Sequence, residues 1–353
     1  MLPKIIVTTG CSYGKLHDGL NPTKNPELIN YESYSNLELV LDLHCSSLGS
    51  TFQSLSIIET VDKLLSIGVD SNDIFVLGEF STIDRKDVVI QTDFLVDFID
   101  NAIVNEVVDG VNYKHLQVDY PDKVIVKHSE YISNLLDKLK VKKFFAGDYA
   151  KFNNYYVINP EKKHQPKFPN DAIQSILSNY VNNMDIEIKN VGELQKVVLE
   201  SMDRAIRYFQ NIFSVQEYLK LKGIKYKFCL INNQFSMYDQ NGIQKDKLTK
   251  CIDNEHYLYQ DYVNSKQIWD INSMIKILYN IIDWDNWWFY ENKDKNIIWG
   301  GIDEYAIDKF GINVYTDRNV NDNLFGQHPN TEVYKKLILE ELLKEYFLKK
   351  KII

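Results

Sequence analysis

The sequence is poor in cysteine, and the cysteines that it has are scattered. Its 353 residues include four of them, Cys11, Cys45, Cys229 and Cys251, with no Cys-x-x-Cys pair. This spacing excludes a dense disulfide scaffold and argues against a structural zinc site. Unpaired cysteines are typical of a reducing compartment, so we expect a cytoplasmic protein.

Long apolar runs are also missing. No stretch approaches the roughly 18 apolar residues that a membrane helix requires, so we expect no membrane association. The apolar part of the N-terminal segment, Ile5-Ile6-Val7, is too short for a signal peptide. It predicts the first strand of a sheet instead.

Positive charge is in deficit. There are 40 Lys and Arg residues against 49 Asp and Glu residues, which gives a net charge of −9, and only four of the basic residues are arginines. Because an acidic surface repels a phosphate backbone, we expect no nucleic-acid partner. The composition, 44% apolar and 25% charged, fits a folded protein.

The hydrophobic pattern near the N-terminus predicts alternating strands and helices. Lys4–Thr9 is a β-branched run, and Asp73–Gly78 is an apolar run typical of a strand buried on both faces. Tyr34–Leu43 and Phe52–Ile67 are predicted helices, the second ending at Gly68. This alternation indicates an α/β fold with a doubly wound parallel sheet.

Further along, the pattern first loosens and then returns. We interpret residues 86–189 as an inserted α+β segment or small subdomain, and residues 1–85 and 190–353 as the main α/β domain. The returning elements are a long helix ending at Gly223, a strand over Ile224–Ile231, a helix near Ile268–Ile282 and a terminal helix capped by Asn330.

The strongest local signal for chemistry is Gly10-Cys11-Ser12-Tyr13-Gly14, directly after the first strand. Ligands of an open parallel sheet bind beyond the carboxyl ends of its strands. A serine flanked by glycines there exposes its hydroxyl beside backbone N–H groups, so Ser12 is our candidate nucleophile. The plain alternative is that Ser12 only caps a helix.

Two other chemical interpretations of this turn are weaker. A phosphate-binding loop needs a glycine where Thr9 stands and a Ser or Thr where Leu16 stands. Cys11 could be the nucleophile, because a helix N-terminus lowers the pKa of a thiol. Since neighbours in such a turn point in different directions, we favour Ser12 and place Cys11 in the core.

A nucleophilic serine needs a base, and His328 is the first candidate. It precedes the predicted terminal helix, on a loop in which Pro329 and Asn330 fix the backbone. The alternative is a histidine that has no role beyond this loop. His17 and His44 lie near the ends of the first two strands and are the next candidates. We expect the remaining histidines to be solvated: His115, His128, His164 and His256.

Taken together, these pieces resemble the SGNH (GDSL-like) hydrolases, a family with four short blocks in chain order. Ser12 within Gly10-Cys11-Ser12 matches the serine block, and Gly49 within Ser47-Leu48-Gly49-Ser50 matches the glycine block. Leu77-Gly78-Glu79-Phe80-Ser81 stands at the third block, and His328-Pro329 matches the fourth. The tail is also similar to SGNH-type chains of bacteriophages and other large viruses. The resemblance covers residues 1–85 and 190–350.

The resemblance implies a flavodoxin-like strand order and a serine esterase or acetylhydrolase. By analogy, Ser12 attacks an acyl ester, His328 removes its proton, and Asp322 is the nearest acid to orient His328. The backbone N–H groups of Ser12 and Gly49, with Ser81, would hold the oxyanion. An O-acetylated glycan is a plausible substrate class, since the aromatic residues of Trp284–Tyr290 suit stacking on sugars.

Two departures from the family pattern favour a second hypothesis. Phe80 stands where the family has its oxyanion asparagine, and Phe325 stands where it has its aspartate. Asp317 and the Asp283/Asp285 pair are further options for the acid. The alternative function is a catalytically silent SGNH-like module with a structural or glycan-binding role, for example beside other proteins of a virion. We find no clustered metal-ligand motif and expect neither metal nor cofactor.

Overall fold

The computed structural model describes residues 2–10, 16–44, 49–81, 87–91, 107–108, 111–112, 117–120, 122–139, 141–146, 149–152, 155–158, 201–232, 236–238, 244–247, 277–278, 280–295, 297–311 and 329–347. Within them the strands, numbered in chain order, are β1 Ile5–Thr9, β2 Leu39–Asp42, β3 Ile74–Phe80, β4 Val88–Gln91, β5 Val107–Val108, β6 Val111–Asn112, β7 Gln117–Tyr120, β8 Asp122–Ile125, β9 Val141–Ala146, β10 Tyr149–Phe152, β11 Tyr155–Ile158, β12 Lys225–Leu230, β13 Ser236–Tyr238, β14 Gln244–Lys247, β15 Trp287–Trp288, β16 Tyr290–Asn292 and β17 Ile297–Gly300.

The α-helices of the described residues are α1 Leu16–Leu20, α2 Ser50–Ser66, α3 Glu130–Lys138, α4 Ser201–Leu221, α5 Ile302–Phe310 and α6 Thr331–Lys336. A π-helical turn, Leu337–Leu342, and a last α-helical turn, Lys344–Phe347, continue α6. Short 3-10 turns occupy Pro26–Asn30, Glu32–Asn36, Ser71–Asp73 and Trp284–Asn286. None of the helices in the described part of the chain has the length and apolar character of a membrane span.

The largest sheet has six strands in the order β15-β12-β3-β1-β2-β8. Five of them are parallel, and β8 runs antiparallel to β2 at one edge. Read from β2, the parallel strands follow the order 2-1-3-4-5 of flavodoxin-like sheets. The prediction of an α/β protein with a parallel sheet is confirmed.

Side chains of the central strands alternate between two cores. Ile5 and Val7 of β1 pack with α2, α3 and α4 on one face. Ile6, between them, packs with α1, α5 and the C-terminal helical segment on the other face. Because the central strands of a parallel sheet are covered on both faces, they carry continuous apolar runs, such as Ile74–Leu77 of β3.

Most predicted element positions hold, and one is wrong. The predicted helix over Tyr34–Leu43 is a 3-10 turn, Glu32–Asn36, followed by β2. Leu39, Val40 and Leu41 are all buried, which is the continuous apolar pattern of a central strand. A short apolar run of this kind fits a helix or a strand equally well from sequence. Here it forms a strand, because it pairs with β1 and β8 in the main sheet.

The described ends of other predicted elements agree with the sequence. Gly68 and Gly223 follow α2 and α4 with φ of 94° and 69°, a conformation that favours glycine. The Asn330 side chain accepts a hydrogen bond from the Val333 N–H and caps α6. The helix predicted near Ile268–Ile282 is described only at residues 277–278 and 280–281, which are helical.

Residues 86–189, predicted as an insertion, contribute to three sheets, of which one is the two-stranded pair β5-β6. Five of their strands form an antiparallel sheet in the order β4-β11-β10-β9-β7. However, β8 pairs with β2 in the main sheet, and α3 buries Ile132 and Leu135 in its core. The stretch from β8 to α3 is therefore part of the main sheet layer, although it lies inside the predicted insertion.

Candidate functional site at the carboxyl edge

The strand order of the main sheet changes direction between β1 and β3. The chain leaves β1 toward β2 on one side, and from β3 it continues toward β12 on the other side. Such a switch in direction is where open α/β sheets bind ligands. Gly10, His44 and Ser81 follow directly or closely on the ends of β1, β2 and β3.

A buried carboxylate stands at the end of β2. Asp42 is the last residue of β2 and lies beside Thr8 of β1 in the parallel register. The Thr8 hydroxyl donates a hydrogen bond of 2.9 Å to Asp42 Oδ1. Two imidazoles converge on the other oxygen, Oδ2: His17 Nδ1 at 3.1 Å, and His44 Nδ1, which is hydrogen-bonded to it.

His17 has a second acidic neighbour. Its Nε2 lies 3.1 Å from Asp18 Oδ1, and the same carboxylate oxygen accepts a hydrogen bond from Lys24 Nζ. The side chains of Asp18 and Asp42 are almost fully buried, whereas His44 is about one-third exposed. The His17 and His44 rings are stacked, with centroids 5.6 Å apart and planes 8° from parallel.

The charges of this cluster stabilise one another. Burial opposes the charged imidazolium, but the contacts with Asp18 and Asp42 outweigh it and raise the pKa of His17 to about 10. Burial likewise opposes ionisation of Asp42, but His44 and His17 hold the pKa of that carboxyl well below its usual value. His17 and Lys24 lower the pKa of Asp18 in the same way. Both carboxylates are therefore ionised at neutral pH.

The N-terminus of α2 binds an anion from within the chain. The Gly49 N–H donates to both carboxylate oxygens of Asp87 at 2.8 Å, and the Phe52 N–H donates to one of them at 3.0 Å. Asp87 is buried, so its carboxylate complements the positive end of the helix. The N–H of Gly49, which the family resemblance assigns to the oxyanion, thus already has an acceptor.

The backbone at the end of β3 is also hydrogen-bonded within the chain. Gln53 Nε2 donates to the Glu79 carbonyl at 2.7 Å, and Gln53 Oε1 accepts from the Ser81 N–H at 3.0 Å. Phe80 is fully buried and packs edge-on against Phe228, with ring centroids 5.0 Å apart. The side chain at the family's asparagine position is therefore part of the core, and the Ser81 amide is engaged by Gln53.

The three predicted catalytic residues, Ser12, His328 and Asp322, lie outside the described residues, as do Cys11, Asp317 and Phe325. The segments that flank two of them are described. Helix α1 begins four residues after Ser12, and α6 begins three residues after His328.

These two flanking helices pack directly against each other. A Cβ placed on Gly19 of α1 would lie 2.6 Å from the Tyr334 carbonyl oxygen of α6, so only glycine permits this approach. Leu16 and Leu20 share a buried cluster with Val333 and Tyr334. The helices that follow Ser12 and His328 in the chain therefore form one packed pair.

Asp283 and Asp285, the further options for the acid, lie away from the carboxyl edge, and Asp283 already has several partners. Asp283 accepts hydrogen bonds from the Tyr226 hydroxyl at 3.1 Å and Asn286 Nδ2, and pairs with Lys220 at 3.0 Å. Tyr226 belongs to the amino-terminal half of β12, away from the carboxyl edge. Asp285 lines a cavity of about 330 Å³ at this same amino edge.

The aromatic segment Trp284–Tyr290 is mainly structural. Trp287, Trp288 and Tyr290 are buried, and Trp284 and Phe289 pack on the core beside them. Trp288 Nε1 donates a hydrogen bond of 3.2 Å to Glu341. The buried rings have no free face for stacking on a sugar.

Sequence reasoning identified His17 and His44 only as secondary candidates and missed Asp42. The three residues do not stand at the short spacing of a metal-binding motif. His17 lies on α1, 25 positions before Asp42 at the end of β2. The available signal was a charged residue closing the apolar run Leu39-Val40-Leu41. Our expectation that no clustered histidine and carboxylate set exists is corrected here, since the parallel pairing of β1 with β2 assembles one.

Comparison of the chain with protein-family models, with curated proteins and with solved structures yields no match. The resemblance to SGNH hydrolases therefore stays a prediction based on the sequence blocks.

Proposed function

We propose that the protein is a serine hydrolase of acyl esters that acts at the carboxyl edge of β1. The observation that supports the proposal is the packing of α1 on α6 through Gly19, because these two helices begin four residues after Ser12 and three residues after His328. The 2-1-3-4-5 strand order adds a change of direction at the end of β1, where open α/β sheets bind ligands, and Gly10-Cys11-Ser12 follows β1 directly in the chain.

In the proposed reaction, Ser12 Oγ attacks the ester carbonyl while His328 accepts the hydroxyl proton. The proton then passes to the leaving alcohol, and an acyl-enzyme remains on Ser12. Water, deprotonated by His328, releases the acid and restores the hydroxyl. Asp322 is assigned to orient the His328 ring, a role whose loss costs on the order of 10⁴ in turnover.

The backbone amides of Gly49 and Ser81, which already donate hydrogen bonds within the chain, determine the rate of ester hydrolysis that we expect. Each lost oxyanion donor costs about 2.7–4 kcal/mol of transition-state stabilisation. Since Asp87 and Gln53 already accept from these two amides, an oxyanion there has to displace them. We therefore expect a slow esterase, active on small activated esters rather than specialised for a glycan.

The same observation favours the second candidate function, a catalytically silent module of this fold with a structural or binding role. Internal acceptors at Gly49 and Ser81 and a core residue at Phe80 are what a chain without oxyanion chemistry would show. A virion component and a glycan-binding module both fall within this alternative.

Hydrolysis of p-nitrophenyl acetate and labelling by a fluorophosphonate probe separate the two functions. The esterase proposal expects both signals in the unaltered chain, their loss in Ser12→Ala and their retention in Ser66→Ala, an exposed serine at the end of α2. A folded chain that is not labelled, or labelling that survives Ser12→Ala, overturns the esterase. A folded chain that is not labelled would support the catalytically silent module.

A further inference from the structure

The cluster of His17, Asp42 and His44 has a chemistry that ester hydrolysis at Ser12 does not use. One ligand atom from each residue lies within 4.8 Å of the other two. We propose that these three side chains bind a divalent transition-metal ion, with Zn²⁺ as the best fit, in a site open to solvent at His44.

The distances suit coordination by one small ion. Two ligands at about 2.1 Å from a tetrahedral zinc ion lie roughly 3.4 Å from each other. His17 Nδ1 and Asp42 Oδ2 are 3.1 Å apart, and His44 Nδ1 faces the same carboxylate oxygen. Small side-chain adjustments would therefore bring two imidazole nitrogens and one carboxylate oxygen around a common centre.

The surroundings of these side chains match the outer shell of a metal site. Metal-binding histidines donate their other ring N–H to a carboxylate, which fixes the tautomer, and ligating carboxylates are themselves hydrogen-bonded. Asp18 faces His17 Nε2 at 3.1 Å, and Lys24 holds Asp18 in place. Thr8 donates to Asp42 Oδ1 at 2.9 Å and leaves Oδ2 to the imidazoles.

Two buried carboxylates require positive charge beside them. Lys24 supplies one charge at Asp18, and the space between the imidazoles and Asp42 is where a second cation would be stabilised. A proton shared by His17 and the two carboxylates is the competing occupant of that space. Proton and metal use the same Nδ1 lone pair, so a binding measurement decides between them.

The donor set selects the class of metal. Imidazole nitrogen suits zinc, iron, copper and nickel, whereas Mg²⁺ and Ca²⁺ prefer oxygen ligands alone. Three protein ligands with one side open to water are typical of zinc sites that keep a position for a water molecule or substrate. Asp42 is buried and His44 is partly exposed, which provides an entry path on the His44 side.

This inference goes beyond the proposed esterase and stands independently of it. Ser12→Ala abolishes ester hydrolysis under the esterase proposal but leaves all three metal ligands in place. Metal binding retained in Ser12→Ala, together with loss of labelling, would show that the two properties are separate.

The test is binding of Zn²⁺ to the full chain after dialysis against a chelator. Isothermal titration calorimetry should show one zinc ion per chain with micromolar or tighter affinity, and Mg²⁺ should not compete. Co²⁺ should give a visible absorption band of the intensity typical of low coordination number. Zinc should also raise the melting temperature, because it binds the folded state preferentially.

Variants locate the ion. His44→Gln and His17→Gln should each weaken zinc binding by at least about 100-fold, and Asp18→Asn by about 10- to 100-fold through the orientation of His17. His128→Gln, an exposed histidine elsewhere, should bind zinc like the unaltered chain. His44→Gln is the decisive variant, because its partly exposed ring can be replaced with little effect on folding.

The proposal is overturned if the folded chain binds no zinc at micromolar concentrations, which would leave the shared proton as the occupant. It is also overturned if zinc binds equally well to His17→Gln and His44→Gln, since the ion would then lie at other histidines or cysteines.

Discussion

The two halves of the carboxyl edge differ in how their polar groups are satisfied. In the sealed half, formed by Gln53, Phe80, Ser81 and Asp87, backbone amides already have internal acceptors and an aromatic ring fills the space. In the open half, formed by His17, Asp42 and His44, three side-chain ligand atoms converge, and the His44 side chain is about one-third exposed. One part of this edge therefore has its hydrogen bonds satisfied within the chain, whereas the other part offers side chains that an external group can bind.

This difference shows that a strand-end position is not in itself a functional position. The third sequence block falls on the sealed half, where Phe80 belongs to the core and the backbone of Glu79 and Ser81 is hydrogen-bonded to Gln53. The residues best placed for ligand chemistry fall on β2 and α1, outside the blocks.

Phe80→Ala should destabilise the protein most, if the sealed half is core. Phe80 is fully buried against Phe228, and truncation of such a ring costs about 3–5 kcal/mol. Urea unfolding measures the loss, and Ile29→Ala, at an exposed apolar residue, is the control. A loss below about 1 kcal/mol would mean that Phe80 is not part of a tight core.

Asp87→Ala should cost about 2–3 kcal/mol, because it leaves the Gly49 and Phe52 amides without their acceptor. The matched variant is Asp70→Ala, which removes an exposed cap from the Asn72 N–H and should cost about 0.5–1 kcal/mol. Thermal unfolding compares the two. Equal losses would show that burial adds nothing to the Asp87 cap.

Asp308 provides a reference carboxylate outside both halves. Although burial opposes ionisation, Lys295, Tyr290 and Asn292 hold the pKa of Asp308 at about 2, against an ordinary value of 3.8. The folded state thus binds the proton more weakly than the unfolded state. The stabilisation is fully present above about pH 4 and is lost as the pH falls toward about 2.

Asp308→Asn should therefore remove about 2 kcal/mol of unfolding free energy at neutral pH, and this difference should shrink toward about pH 2. Denaturant unfolding over a pH series measures it. A difference that does not change with pH would show that the loss comes from packing rather than from the charge. Asp294→Asn, on the neighbouring turn, serves as the control.

Thr8→Val should have the smallest effect, about 1.5 kcal/mol, because the shape is kept while the buried carboxylate of Asp42 loses one hydrogen-bond donor. Under the metal proposal it should also weaken zinc binding by about 10-fold. Differential scanning calorimetry and zinc titration measure the two effects. A stable variant with unchanged zinc affinity would place Thr8 outside the outer shell of the site.

The parts of the fold predicted from sequence are those in which local pattern and tertiary packing agree. Ile74–Leu77 is apolar because both faces of β3 are covered, and Gly68 and Gly223 mark helix ends by their backbone conformation. Tyr34–Leu43 was mispredicted because a buried strand of four residues has no alternation to distinguish it from a helix.

The candidate site was less predictable, for a geometric reason. Nothing in the local sequence of His17 or His44 reveals a shared partner. They meet at Asp42 because strand pairing aligns Thr8 with Asp42, so the signal lies in the register of two strands. Ser12, His328 and Asp322 remain predictions, because all three lie outside the described residues.

The two edge strands of the main sheet, β15 and β8, limit pairing with a strand of another molecule. One margin is closed by β8, which runs against the direction of its neighbour, and the other is β15, only two residues long. So short a margin offers an incoming chain few backbone groups to pair with. Within the described residues, Trp287 and Trp288 therefore form a poor template for the addition of a further strand to this largely parallel sheet.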